Sequence, residues 1–174
     1  RAFELNPHMS LGGQDAMEHL TEKYGLSLEE VKANQTQIRA RAAEVGFHFD
    51  PAGRKRVYNT FNTHRLLFWA AHELDLLKQA ALKKELLNTY FCLGVSLDDE
   101  KNILDAVARS DLDEVRAQAI LSSDEFSEEV KAEEEFYKNL GINSVPSLIV
   151  NQKYLLQGAQ PSSALINAFQ QMIK

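Results

Sequence analysis

Residues 143–161, NSVPSLIVNQKYLLQGAQP, decide the fold. Pro146 stands before a short apolar run, Leu148-Ile149-Val150, and a second run, Lys153 to Leu156, follows after Asn151-Gln152. Two β-rich runs this close read as an antiparallel hairpin, although Asn-Gln commits a turn less firmly than Asn-Gly. A strand tolerates proline at its first residue, so Pro146 taken alone simply opens one. Beyond Gly158, Pro161 occupies a first helical position, and Leu165, Phe169 and Ile173 fall on one face of the helix behind it.

Upstream of this hairpin the pattern is helical almost to the start. Ser27 and Glu30 form a capping box for a helix running to about Val45, with Gly46 as its stop. Asn59 or Thr60 caps a helix whose buried side carries Leu66, Leu67, Ala70, Ala71 and Leu74. Leu76, Leu77, Ala80, Leu87, Tyr90 and Phe91 continue that spacing as far as Gly94. Two shorter helices follow, marked by Ile103, Leu104 and Val107, then by Val115, Ala119 and Ile120. Ser122 with Glu125 predicts the cap of another, with Val130, Phe136, Tyr137 and Leu140 on its face and Gly141 as its end. Residues 2–5, Ala-Phe-Glu-Leu, alternate as a strand that stops at Asn6-Pro7. Strands are therefore expected only at the two ends, meeting across a long helical stretch, in an α/β arrangement.

Composition narrows the function classes. The chain has 174 residues, 44% apolar and 25% charged, with a formal net charge of −6. A chain of this length buries roughly 70% of its unfolded surface, enough for a core without disulfides. The densest basic run is Arg54, Lys55 and Arg56, too short for a nucleic-acid footprint, and no apolar run is long enough to span a membrane. The single cysteine, Cys92, forms no intrachain disulfide and favours a reducing, cytoplasmic location. His8, His19, His48 and His72 show no metal-ligand spacing, and the acidic run Glu133-Glu134-Glu135 reads as a solvated helix face.

Four stretches in order, RAFELNP from Arg1, NTFNTHRLLFWA from Asn59, YFCLG from Tyr90 and GINSVPSLIVNQKYLLQGAQ from Gly141, give the chain a resemblance to a known family. It resembles the DsbA-like branch of the thioredoxin superfamily. Within that branch it is similar to the FrnE-like group that includes the 2-hydroxychromene-2-carboxylate isomerases and kappa-class glutathione transferases. The resemblance implies an α/β, thioredoxin-like (DsbA-type) sheet with a large all-helical insertion. Residues 1–12 would supply the N-terminal strand of the thioredoxin-like part, 13–125 the insertion, and 126–174 the cis-proline loop, hairpin and C-terminal helix. It also implies a first strand and a helix bearing Cys-x-x-Cys, or serine in the glutathione-using relatives, which are missing here and expected upstream of residue 1.

On that resemblance, Ser144, Val145 and Pro146 are the substrate-facing residues. The peptide groups of Val145 would pair with a substrate chain or with glutathione. His64 is either a site-proximal proton donor or thiolate stabiliser, or a histidine packed at the seam between insertion and core. Arg65 beside it is expected to pair with a carboxylate, and Asn59 or Asn62 to act as a cap. Cys92, among Tyr90, Phe91 and Leu93 at a helix end, reads as a small buried hydrophobe. The expected function is a thiol:disulfide oxidoreductase or isomerase acting on protein thiols and disulfides, without metal or cofactor. Two alternatives stay open: a glutathione-dependent isomerase or transferase of the hydroxychromene-carboxylate type, and a non-catalytic binding module. A homodimer is compatible with each.

Overall fold

The structure is a computed structural model that describes residues 1–172. Ile173, assigned above to the C-terminal helix face, lies outside the described residues. Helices α1 (Ala16–Tyr24) and α2 (Leu28–Glu44) form a hairpin, α2 opening on the Ser27–Glu30 capping box. They are followed by α3 (Phe61–Trp69), α4 (Leu76–Phe91), α5 (Glu100–Arg109), α6 (Glu114–Leu121) and α7 (Ser127–Asn139). Two short strands, β1 (Gln14–Asp15) and β2 (Arg56–Val57), pair antiparallel inside this helical stretch. That corrects the expectation of strands only at the ends. Gly13 permits the close approach, because a Cβ there would sit 2.2 Å from the Val57 carbonyl oxygen.

The core belongs to α3–α6. Leu66, Trp69 and Ala70 pack against Leu82 and Leu86 of α4, Ile103, Ala106 and Val107 of α5, and Ala117 and Ile120 of α6. The sequence predicts one uninterrupted buried face from Leu66 through Tyr90, and the structure breaks it. Ala70–Leu74 form a π turn, and Asp75 is fully extended (φ −160°, ψ 171°), its carboxylate accepting from the Lys78 N–H at 2.8 Å. An aspartate favours such a cap over a helix interior, so α4 starts afresh with a new phase. Leu74, Leu76, Leu77 and Leu87 are consequently exposed, while Leu82 and Leu86 are buried. Val115 is likewise exposed, and α6 buries Ala117 and Ile120 instead.

Arg65 does not pair with a carboxylate. Its Nε donates to the Glu125 carbonyl at 2.8 Å, Nη2 donates to the carbonyls of Ile120 and Ser123, and Nη1 donates to Asn62 Oδ1. A buried guanidinium thus satisfies carbonyls left over where α6 ends. The cap of α3 comes from Asn59, whose Oδ1 accepts from the Phe61 N–H, while the Thr60 side chain makes no cap bond. The start of α7 also differs from expectation. Phe126 precedes it in the left-handed region and no side chain caps it, so Ser122 and Glu125 are not its box.

At the C-terminal end β3 (Ser147–Val150) pairs antiparallel with β4 (Tyr154–Gln157), and α8 (Ser162–Met172) follows. Register runs from Ser147 opposite Gln157 to Val150 opposite Tyr154. Asn151 (φ 53°) and Gln152 (φ 57°) both take the left-handed conformation of a type I′ turn, closed by Lys153 N–H to the Val150 carbonyl at 3.1 Å. Residues 2–5 are not a strand, since no ladder forms on either side of them among the described residues. No helix among the described residues is long and apolar enough to cross a membrane.

Candidate functional site

The loop between α7 and β3 is pinned from several directions. Gln157 Nε2 donates to the Gly141 carbonyl at 3.0 Å, and the Ser144 hydroxyl donates to Gln157 Oε1 at 3.2 Å. The Ser147 hydroxyl donates to the Ser144 carbonyl at 2.7 Å, and the Gly158 N–H to the Pro146 carbonyl at 2.8 Å. The Val145–Pro146 peptide bond is cis. Within this scaffold the main-chain N–H and C=O of Val145 have no protein partner among the described residues. Its side chain remains 42% exposed. Ser144 therefore acts on the loop through Gln157, holding the peptide groups of Val145 in place.

A cleft of about 850 Å³ opens beside the loop. Val145, Pro146, Ser147 and Ile149 form one wall; Arg1, Ala2 and Phe3 form the other, with Lys83 and Leu87 of α4 also lining it. Since β3 pairs only with β4 among the described residues, its other edge carries no ladder. The opposite wall alternates with a period of two, as an extended chain does. The N–H of Ala2 donates to Glu133 Oε2 at 2.7 Å and that of Glu4 to Glu134 Oε1 at 2.8 Å. Phe3, between them, has neither main-chain group paired among the described residues.

These contacts overturn the reading of a solvated face for Glu133 and Glu134, while Glu135 is exposed as expected. Glu134 is 5% exposed and Glu4 is 6% exposed. Burial, reinforced by the nearby charge of Glu134 and opposed by Lys138, pushes the Glu4 carboxyl up to about 7. Lys138 Nζ lies 3.4 Å from Glu134 Oε2, and Glu4 Oε1 is buried without a hydrogen-bond partner. A signal was available: Glu134 stands four residues after Val130, on the face of α7 that Val130 buries. Phe136 and Leu140, expected on that face, are exposed.

His64 lies half-buried on α3, at the junction of two pockets beneath the N-terminal segment, one of them reaching Arg1 and Glu133, the other Phe3 and Tyr90. Burial holds its imidazole below the ordinary range; Glu134 pulls the other way and Lys83 adds to the lowering. The neutral ring can offer one donor and one acceptor. Cys92 caps the C-terminal end of α4 and does not line the cleft. Burial pushes its thiol up, which lowers the thiolate fraction that exchange requires. No group of three metal-ligating side chains occurs among the described residues.

Known proteins share this architecture. Residues 1–170 match the DSBA-like thioredoxin domain family. No curated protein matches the chain in sequence. Among solved structures, the crystal structure of a probable DsbA oxidoreductase from Streptomyces coelicolor superposes with a TM-score of 0.88 at 29% identity, covering 98% of this chain and 73% of that one.

Proposed function

The chain belongs to the DSBA-like thioredoxin domain family, and from that premise we propose that it forms the substrate-facing part of a thiol:disulfide oxidoreductase of the FrnE type. Its dithiol would be carried by a strand and helix preceding residue 1. In the reductive direction, one cysteine thiolate of that unit attacks a sulfur of the substrate disulfide. A mixed disulfide forms and the other substrate sulfur leaves as thiolate; the second cysteine then displaces the substrate. Two electrons pass to the substrate and the dithiol ends as a disulfide. Oxidation of a substrate is the same sequence reversed.

The observation that carries this reading is the cleft between Phe3 and Val145–Ile149. Both walls have unpaired main-chain groups, and such groups are satisfied by a strand laid between them. The exposed apolar side chain of Ile149, which lines the cleft, favours the same occupant. Above it, the free N–H and C=O of Val145 suit an extended substrate chain, which binds by adding its own backbone hydrogen bonds. The sulfur of Cys92 is not needed.

The test is insulin reduction, or refolding of scrambled ribonuclease, by the full-length protein and by a variant lacking both upstream cysteines but retaining Cys92. Activity lost in the variant supports the proposal; equal rates sink it. If the upstream unit carries a lone serine in place of the dithiol, the glutathione-dependent isomerase reading takes over.

A further inference from the structure

Two carboxylates of α7 hold the N-terminal segment. The N–H of Ala2 donates to Glu133 and that of Glu4 to Glu134, and Arg1 Nη1 lies 3.2 Å from Glu133 Oε1. In an extended chain the main-chain groups of Phe3, between these two, point to the opposite side. A strand preceding residue 1 would therefore join the segment on the side away from α7. The seam between segment and helix is the same whether or not that side is occupied.

This seam brings like charges together out of water. Glu4 and Glu134 are both more than nine-tenths buried, and Glu4 Oε1 has no hydrogen-bond partner. An ionised Glu4 would have neither solvent nor a donor at that oxygen, with a second carboxylate beside it, so the closed seam favours its neutral form. The charges around the pair do not reverse this. On α7, Lys138 lies 3.4 Å from Glu134 Oε2 and offsets part of the repulsion, Lys131 pairs with Glu128, and exposed Glu135 adds negative charge. On α3, burial holds the His64 imidazole below its ordinary range, so it is already neutral where Glu4 ionises. On α1, Lys23 is engaged by the Leu5 carbonyl and Asn6 Oδ1. A polar cleft of about 620 Å³, lined by Glu4, Glu134, Asn62, Lys131 and Lys138, opens beside the pair and shares no residue with the Val145–Pro146 cleft.

We propose that Glu4 and Glu134 form a pH-sensitive latch: with Glu4 protonated the N-terminal segment is closed on α7, and loss of that proton opens the seam locally while the α3–α6 core stays folded. Helix α7 leads through Gly141 into the Val145–Pro146 loop, and its Tyr137 lines the cleft there, so the latch joins the two walls of the candidate site. Glu4 sets the direction. Its carboxyl is pushed up to about 7 in the closed seam, against 4.5 for an ordinary glutamate, so a solvated Glu4 in the open state releases its proton first. Closure is therefore favoured at acid pH and weakens as pH rises towards and through 7. None of this rests on the oxidoreductase reading.

The test is hydrogen exchange read by mass spectrometry on the full-length protein at about pH 6 and about pH 8.5, with each rate corrected for the pH dependence of amide exchange itself. Protection of residues 2–5 and of α7 is expected to fall about tenfold between the two, the change that a titration moved from 4.5 to about 7 allows over that interval, while peptides from α5 are unaffected. Glu4→Gln keeps the main-chain donor and a neutral side chain, and should retain at the higher pH the protection seen at the lower. Glu134→Gln should shrink the fall without abolishing it, because burial is the larger cause of the Glu4 shift. Should either variant fail to fold, the carboxyl ¹³C shift of Glu4 in the parent reads its protonation directly, with a midpoint near 7 expected. Equal corrected protection at the two pH values overturns the proposal. So does a fall of the same size in Glu4→Gln, a fall shared equally by α5, or a Glu4 midpoint in the ordinary glutamate range. Because no readout is catalytic, the absence of insulin reduction would leave the result readable by itself.

Discussion

The helical body and the C-terminal unit bury their apolar residues to very different degrees. Helices α3–α6 enclose Leu66, Trp69, Leu82, Ile103, Val107 and Ile120 almost completely. In β3, β4 and α8, Leu148, Ile149, Leu155, Ile166 and Phe169 all remain at least 37% exposed, and α8 buries no residue. Both units contain strong hydrophobes in abundance, so composition does not separate them. What separates them is partners: the inward faces of α3–α6 cover one another, whereas among the described residues the hairpin strands pair only with each other and α8 buries no residue. Stability is therefore concentrated in the body, and the open faces lie next to the candidate site.

Substitutions in the two units should expose that difference most strongly. Trp69→Ala removes a side chain from the packed centre and is expected to cost about 3–5 kcal/mol in urea unfolding. Phe169→Ala in α8, tested in the 174-residue chain, is expected to cost less than about 0.5 kcal/mol, because exposed truncations remove little packing. Equal costs would erase the contrast between the units.

The seam between the units carries the next largest effect. Glu4 titrates at about 7 in the folded protein against 4.5 for an ordinary glutamate carboxyl. The folded state therefore holds a proton that the unfolded chain has already released between those values. Stability contributed by this group is complete below about pH 4.5 and is lost as pH rises towards and through 7. The full excursion is at most about 3–4 kcal/mol, since each pH unit separating the folded and unfolded titrations is worth about 1.4 kcal/mol. Glu4→Gln should flatten this dependence and raise the urea midpoint at pH 8 relative to the parent. A parent whose midpoint does not fall between pH 5 and pH 8 would show that the Glu4–Glu134 contact does not hold the N-terminal segment to α7.

The legibility of each region follows from how local its determinants are. The Ser27–Glu30 capping box, the hairpin and the glycine stop of α7 depend on residues a few positions apart, and they are readable from the sequence. The break at Asp75 is also local, but an unbroken apolar rhythm from Leu66 to Tyr90 hides it; in the folded chain the cap preference of aspartate outweighs that rhythm. Residues 2–5 do not form a strand because a strand is a relation between two segments, and no second segment pairs with them in the described chain. The roles of Glu133 and Glu134 depend on main-chain groups about 130 positions away, which no window of sequence contains. The Val145–Pro146 loop can be located from sequence, but its support by Gln157 and its two unpaired peptide groups cannot.

Ile149 offers a way to sharpen the contrast, since it lines the cleft and is 42% exposed. In the 174-residue chain Ile149→Ala should be nearly neutral. In the full-length protein the proposed strand would cover it, and the same substitution should cost about 2 kcal/mol or more. Matching small losses in both would mean that nothing fills the cleft, leaving the C-terminal unit with a permanently open surface.

The smallest expected effect concerns Cys92, the only thiol of the chain, which sits at the end of α4 in the stable body. If the body is scaffold and exchange occurs against the Val145 wall, Cys92→Ala should leave insulin reduction by the full-length protein within about twofold of the parent, a change near the scale of RT ln 2. Burial raises this thiol, so little thiolate is present to attack a disulfide, and no second cysteine in the chain could resolve a mixed disulfide formed there. Cys92 is only partly buried, so truncation to alanine removes little packing and keeps the stability cost small. A tenfold loss of activity with an unchanged urea midpoint would place sulfur chemistry in the helical body and dissolve the division between the two units.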